Sequence, residues 1–352
     1  MEVALVGTLP DADATDHRGP ERTTIGLSEA LAAAGVDVTV IADEGDPTKI
    51  DVPAHVLCDE QPPGIGRMVR FNHEIWSRDL LDAVDIVHTW RPLYQADVMS
   101  WHGIGMEDEV EAKFPGTFDW KWRLGAKIHR WAKTLTAYRA DQSIVTAPGN
   151  RGFAEKYRVP VDGVIPVGVE ERFRQADCYD GSLDLLTVSR IERRKQPHFV
   201  DRNTPERYET AVVGGASNDA YADSLSERWV GRVDDAELLS YYRRAGVFVL
   251  PSYFEPFGLT AAEAMAAGTP LVVADTTAIS EWVREYDLGT VYEFDDPASY
   301  HRAIQTALED RDCYSENATA FVEDRLTWRT IAEEYLDVYQ KIDHDTRQLH
   351  RN

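Results

Sequence analysis

Two carboxylates eight positions apart, Glu255 and Glu263, bracket the run Pro256-Phe257-Gly258-Leu259-Thr260. The run ends where a helix is expected to begin. Free backbone N–H groups and the helix dipole there favour an anion, and Gly258 lets a ligand approach the backbone closely. Taken alone, Glu263 could simply complement the helix dipole. A second candidate is His102, which follows the apolar run ending at Trp101 and precedes Gly103-Ile104-Gly105. A histidine at a strand's carboxyl end, before glycines, sits where open α/β sheets bind ligands. His88 also ends an apolar run but reads as structural.

The elements around these residues follow from hydrophobic patterning. Val247 to Leu250 reads as a buried strand, Leu259 to Ala267 as a helix closed by Gly268 and Pro270, and Leu271 to Ala274 as the next strand. That order belongs to a parallel α/β sheet. The chain opens the same way, with a strand at Val3 to Val6, a loop from Leu9 to Pro20, a helix from Thr23 to Ala34 and a strand at Val38 to Ala42. Further strands are expected at 85–88, 97–101, 144–147, 163–166, 183–188 and 210–213, and a helix at 236–245. A length of 352 residues suits two domains.

The stretch from Pro251 to Ala274 resembles the signature of the retaining GT-B glycosyltransferases of family 4, the glycosyl transferases group 1. The resemblance implies two facing Rossmann-like α/β domains with a cleft between them. They would span 1–169 and 170–327, and a closing helix in 328–352 would return to the first domain. It implies that Glu255 faces a donor sugar, and that Glu263 accepts hydrogen bonds from the ribose hydroxyls, since one carboxylate can take both hydroxyls of a diol. Amides around Phe257, Gly258, Leu259 and Thr260 would hold the sugar and diphosphate. Arg190 and Lys195, in Ser189-Arg-Ile-Glu-Arg-Arg-Lys195, would hold the diphosphate and stabilise the charge that gathers as the glycosidic bond breaks. Arg193 and Arg194 read as a basic surface turn. His102 would touch the sugar, and Arg232-Val233 would mark the segment that meets the nucleobase. Gly19-Pro20 stands where the family has a glycine pair beside the phosphates, and Pro20 has no N–H to offer. Near Ala278 the family's other glycine pair is missing.

The implied activity is transfer from a nucleotide-diphosphate sugar to a glycan, a lipid-linked or a small-molecule acceptor. Configuration would be retained, and neither metal nor further cofactor would be needed. An epimerase on the same fold, or a catalytically silent subunit that binds a partner, are the alternatives.

Composition narrows the setting. The net charge is −24, from 61 acidic and 37 basic residues, and only eight of the basic residues are lysines. This resembles proteins of salt-in, haloarchaeal halophiles, and it argues against a nucleic-acid partner. No apolar run is long enough to span a bilayer, and the start lacks a signal peptide's basic region, so a cytoplasmic location is expected. Cys58, Cys178 and Cys313 are isolated, and Asp11-Ala12-Asp13 reads as a solvated loop rather than a metal motif. Lys113 to Arg139 holds seven basic residues against one acid. Its apolar stripe of Leu124, Ile128, Trp131, Leu135 and Tyr138, with Trp120 and Trp122 nearby, fits either a core-facing side with a wet basic face or a peripheral contact with a membrane surface.

Overall fold

The computed structural model describes residues 1–12, 19–58, 64–174, 181–216 and 219–349. Asp13 and Cys178 lie outside them. Two parallel sheets carry the fold. The first contains β1 (Glu2–Gly7), β2 (Asp37–Ala42), β3 (Ala54–Val56), β4 (Ile86–Thr89), β5 (Val98–Trp101), β6 (Gln142–Val145) and β7 (Gly163–Val164), in the order β3-β2-β1-β4-β5-β6-β7. The second contains β8 (Leu183–Val188), β9 (Thr210–Val213), β10 (Trp229–Gly231), β11 (Ala245–Leu250), β12 (Leu271–Ala274) and β13 (Gly289–Tyr292), in the order β10-β9-β8-β11-β12-β13. Helices cover both faces, so central strands are buried along their length, as all six residues of β11 are.

Each sheet reverses its strand order once, between β1 and β4 and between β8 and β11. Segments leaving the carboxyl ends of strands at such a point diverge and leave a crevice. In the second sheet the diverging segments are 189–195 and 251–258, which hold Arg190, Lys195 and Glu255.

The helix Trp328–Leu349 packs on the first domain. Its Tyr339 hydroxyl lies 2.6 Å from His88 Nδ1, and its Tyr335 hydroxyl lies 3.0 Å from Ser100 Oγ. His88 Nε2 is 2.8 Å from Ser100 Oγ, so this histidine is a satisfied core residue. At the helix start the Trp328 ring is wedged against two glycines. A Cβ on Gly26 would fall 2.1 Å from that ring, and one on Gly168 would fall 2.4 Å from it. Val169, beside Gly168, donates its N–H to Leu326 O at 2.7 Å.

The first helix runs Gly19–Ala33, four residues earlier than its sequence pattern suggested. Pro20 is tolerated because first-turn N–H groups have no intrahelical partner anyway.

Candidate functional site

Beyond β11 the chain enters the loop 251–258, and Gly258 takes φ 91°, the left-handed conformation, just before the helix Leu259–Ala266. Ala261 and Ala262 close the first turn onto Gly258 O, so the N–H groups of Gly258 to Thr260 precede the helix's own ladder. Glu255, 9% exposed, lies at this corner. Lys195 Nζ donates to its Oε2, and Arg194 Nη1 stands 3.9 Å from the same oxygen. Burial alone would raise the Glu255 pKa, but Lys195 and Arg194 outweigh it and hold the carboxyl below its usual range. Burial pulls the Lys195 ammonium down while Glu255 pulls it back up.

Arg194 corrects the surface-turn reading. Its guanidinium donates to Phe254 O at 3.1 Å and pairs with Glu192 Oε1 at 2.8 Å, which fastens the 3-10 turn Arg193–Lys195 to the Glu255 loop. Arg193 is exposed, as expected. Arg190 also differs from its neighbour Lys195. Its side chain is mostly solvent-exposed, 3.4 Å from Glu192 Oε1, and it acts on Glu255 only as a more distant charge.

Glu263, 4% exposed, sits one helical turn inside. Tyr242 donates its hydroxyl to Oε2 at 2.7 Å, and Arg22 Nη1 donates to Oε1 from the first domain. Burial raises the Glu263 pKa, and Arg22 offsets only part of that. Arg22 Nε also lies 3.8 Å from Glu170 Oε1. Gly19 abuts this corner, since a Cβ there would be 3.2 Å from Leu259 Cδ1. Neither Arg22 nor Tyr242 was legible as a site residue. Each belongs to an ordinary-looking helix, and only the tertiary fold brings it to Glu263.

The opposite wall comes from the first domain. A Cβ on Gly103 would lie 3.5 Å from Pro256 Cγ, so the His102-Gly103 turn faces the Glu255 loop. Pro256 O accepts from Asn150 Nδ2 at 2.7 Å and from Thr146 Oγ1 at 3.2 Å, and Gly149 N donates to Ala278 O at 3.1 Å. Ala278 N in turn donates to Glu255 O at 2.9 Å. The missing glycine pair is thus replaced by a turn that clamps the two domains together. His102 stacks on Trp90 with ring centres 6.0 Å apart, and its Nε2 is buried with no hydrogen-bond partner among the described residues. Burial, with Lys133 and Arg91 nearby, lowers its pKa to about 3. His102 is therefore a neutral imidazole with a ring nitrogen to spare. Arg232 is exposed beside Gly215, and Val233 packs partly against the second-domain core.

The basic segment is two helices, Met106–Lys113 and Trp120–Ala137. The core-facing reading of its stripe is overturned. Leu124, Trp131, Leu135 and Tyr138 are exposed, as are Trp120 and Trp122, while Lys133, Thr136 and Ala137 face inward. Of the basic residues read as a wet face, Lys133 is buried and Arg130 is half-buried against Asp108. Helical periodicity finds two faces but does not say which one the sheet covers. Among the described residues no helix is long and apolar enough to cross a membrane.

Two family models match, "Glycosyltransferase Family 4" over residues 17–173 and "Glycosyl transferases group 1" over residues 169–324. A glycogen synthase of Mycobacterium tuberculosis is 33% identical over 381 residues, covering 92% of this chain and 91% of that protein. A D-inositol 3-phosphate glycosyltransferase of Catenulispora acidiphila is 34% identical, covering 47% of this chain and 44% of its own. Among solved structures, sucrose-phosphate synthase of Thermosynechococcus elongatus superposes with a TM-score of 0.76 at 22% identity, covering 97% and 98% of the two chains. Anabaena HepE in complex with UDP-glucose superposes at 0.69 with 16% identity, covering 97% and 100%. These neighbours share the two-sheet GT-B architecture.

Proposed function

This chain belongs to the group 1 glycosyltransferases, and we propose that it moves a sugar from a nucleoside-diphosphate donor to an acceptor with retention of anomeric configuration and without a metal ion. The observation that carries this reading is the pair of buried carboxylates flanking one helix start. Glu255 is held ionised by Lys195 and Arg194, and Glu263 is placed one turn inside.

In this reading the diphosphate lies against the N–H groups of Gly258 to Thr260 and against Lys195 and the exposed Arg190, with Gly19 opposite. Charge-assisted bonds in a closed crevice stabilise the leaving group. Glu263 takes the ribose diol, and the Arg232-Val233 segment meets the base. Glu255 and the spare nitrogen of His102 face the sugar from the two walls. The leaving phosphate accepts the acceptor's proton, so no protein nucleophile is needed. Domain closure keeps water from the donor. HepE, described with UDP-glucose bound, makes such a donor reasonable here.

The domain boundaries proposed are 1–169, 170–327 and 328–352, and Val169 and Thr327 pair at the crossing. The exposed tryptophans of helix Trp120–Ala137 support a peripheral site on the cytoplasmic membrane face and a lipid-linked acceptor. The acidic composition supports a molar-salt cytoplasm.

A thermal-shift panel of UDP-, GDP- and ADP-sugars in molar KCl tests donor binding. A ligand at a hundred times its Kd stabilises the fold by about 2.7 kcal/mol. Silence across the whole panel would remove the donor from the account.

A further inference from the structure

Lys133 lies on the inward face of helix Trp120–Ala137, 9% exposed, with its Nζ 4.7 Å from the centre of the Trp101 ring. On the same helix Lys127 and Arg130 share Asp108, whereas Lys133 has no ion pair or hydrogen bond among the described residues. An unpaired buried ammonium is costly, and here burial, reinforced by Arg91 and relieved only in part by Glu107, lowers its pKa to about 7.

The surroundings are basic as well. His129 and His102 are both held near pH 3 by burial and by the charges of Lys133 and Arg91. Arg91 spends Nη2 on Thr8 Oγ1 at 2.8 Å and on Asp43 Oδ1 at 2.6 Å, and its Nε is buried without a hydrogen-bond partner among the described residues. Asp43 is already taken by that contact. Thr8, Asp43, Arg91 and His102 follow the carboxyl ends of β1, β2, β4 and β5, around the first sheet's reversal point.

Lys133 Nζ and Arg91 Nε are cationic donors with no hydrogen-bond partner among the described residues, beside a neutral histidine, and that arrangement suits an anion. In the transferase reading, on which this inference rests, the donor's diphosphate belongs to Lys195 and the helix start on the other wall. A second anion then has to arrive with the acceptor. We propose that Lys133 and Arg91 form an anion subsite that binds a phosphate group carried by the acceptor, which places its attacking hydroxyl next to His102. A phosphorylated free sugar and a phospholipid headgroup both present that chemistry.

The test uses the full chain at fixed molar KCl, with thermal shift against glucose 6-phosphate and glucose, and flotation with phosphatidylinositol and phosphate-free digalactosyldiacylglycerol vesicles. Native protein should respond to at least one phosphate-bearing probe more strongly than to its phosphate-free partner. A response to glucose 6-phosphate identifies a free phosphorylated acceptor, and a response to phosphatidylinositol vesicles alone identifies a lipid-borne one. Lys133→Met keeps the length and removes the unpaired charge, so it should fold. It should need at least tenfold more of the phosphate probe, while its response to the donor nucleotide stays unchanged, and Lys133→Arg should restore binding. Native affinity for the phosphate probe should also fall between pH 6.5 and 8.5 as Lys133 loses its proton. Arg91, Glu107, His102 and His129 face Lys133, and the two histidines do not titrate in that range. If neither phosphate probe is preferred, or Lys133→Met binds as native does, the subsite is refuted. If the donor nucleotides fail to bind native protein, the transferase reading falls first and this inference with it.

Discussion

Arg22 of the first domain donates to Glu263 of the second, so the carboxylate assigned to the ribose is also half of an interdomain ion pair. Tyr242 occupies its other oxygen. On the proposed reading a nucleotide that binds Glu263 shares or displaces one of these partners, which would couple nucleotide binding to the contact between the domains.

Removing Arg22 strands a buried carboxylate. Arg22→Ala should destabilise the fold by about 3 kcal/mol at pH 7.5, in the range for breaking a buried pair. Glu263 already has a raised pKa, and losing Arg22 raises it further. A raised carboxyl contributes its stability below its unfolded pKa and loses it as pH rises through the folded value. The gap in melting temperature between native and variant should therefore shrink as pH falls toward 5. A gap that is constant with pH contradicts the pairing.

The two glutamates should separate by assay. Glu263→Gln should weaken the bare nucleoside diphosphate about five- to thirtyfold, the value of one charged hydrogen bond or a little less. Glu255→Gln should leave bare-nucleotide affinity within about twofold and lower turnover by about tenfold or more. Calorimetry with the nucleotide and steady-state kinetics read the two effects. If both variants lose only nucleotide affinity, the division of roles is wrong.

Lys195→Ala should cost about ten- to a hundredfold in donor affinity and turnover, the equivalent of about 1.5–3 kcal/mol. Arg194→Ala should come close to it, because Arg194 fastens Phe254 O and so the Glu255 loop. Unchanged kinetics in the Lys195 variant would exclude the diphosphate grip. Arg193→Ala, at an exposed position, should be nearly silent.

Much of this site was readable in the sequence. The strand–loop–helix–strand from Val247 to Ala274 announces itself because a buried β-branched run, a Pro-Gly loop and an alanine-rich helix each have a distinct pattern. What was hidden depends on which face a helix or turn buries. Arg193 and Arg194 are identical in sequence terms, yet a 3-10 turn sends one to solvent and the other to Phe254. Lys133 looked like one more surface lysine until the sheet covered its side of the helix. Arg22 meets Glu263 across 241 residues of chain, a separation no local pattern encodes. β3 and β10 have only three residues each, and β13 opens on a glycine, so none of the three was read as a strand.

Stability should rise with KCl from millimolar to molar concentration, because screening relieves repulsion among the 61 acidic residues. A melting temperature that is flat or falls over that range defeats the halophilic reading.

The exposed aromatic stripe makes the membrane claim testable. Native protein should float with liposomes of archaeal-type lipids in molar KCl, and a Trp120→Ala, Trp122→Ala double variant should float less. Molar salt screens attraction to anionic headgroups, so the tryptophans must supply most of the binding. Equal flotation, or none by native protein, removes this helix as the anchor.

The stereochemistry of transfer tests the central claim most directly. Native protein is incubated with each α-linked nucleotide sugar of the panel and with methanol as a surrogate acceptor, and the methyl glycoside is read by proton NMR. The product does not mutarotate, so its anomeric signal records the outcome. The account predicts the α-glycoside with matched release of nucleoside diphosphate, and both lowered about tenfold or more in Glu255→Gln. A β-glycoside, or a glycoside formed equally well without Glu255, contradicts it.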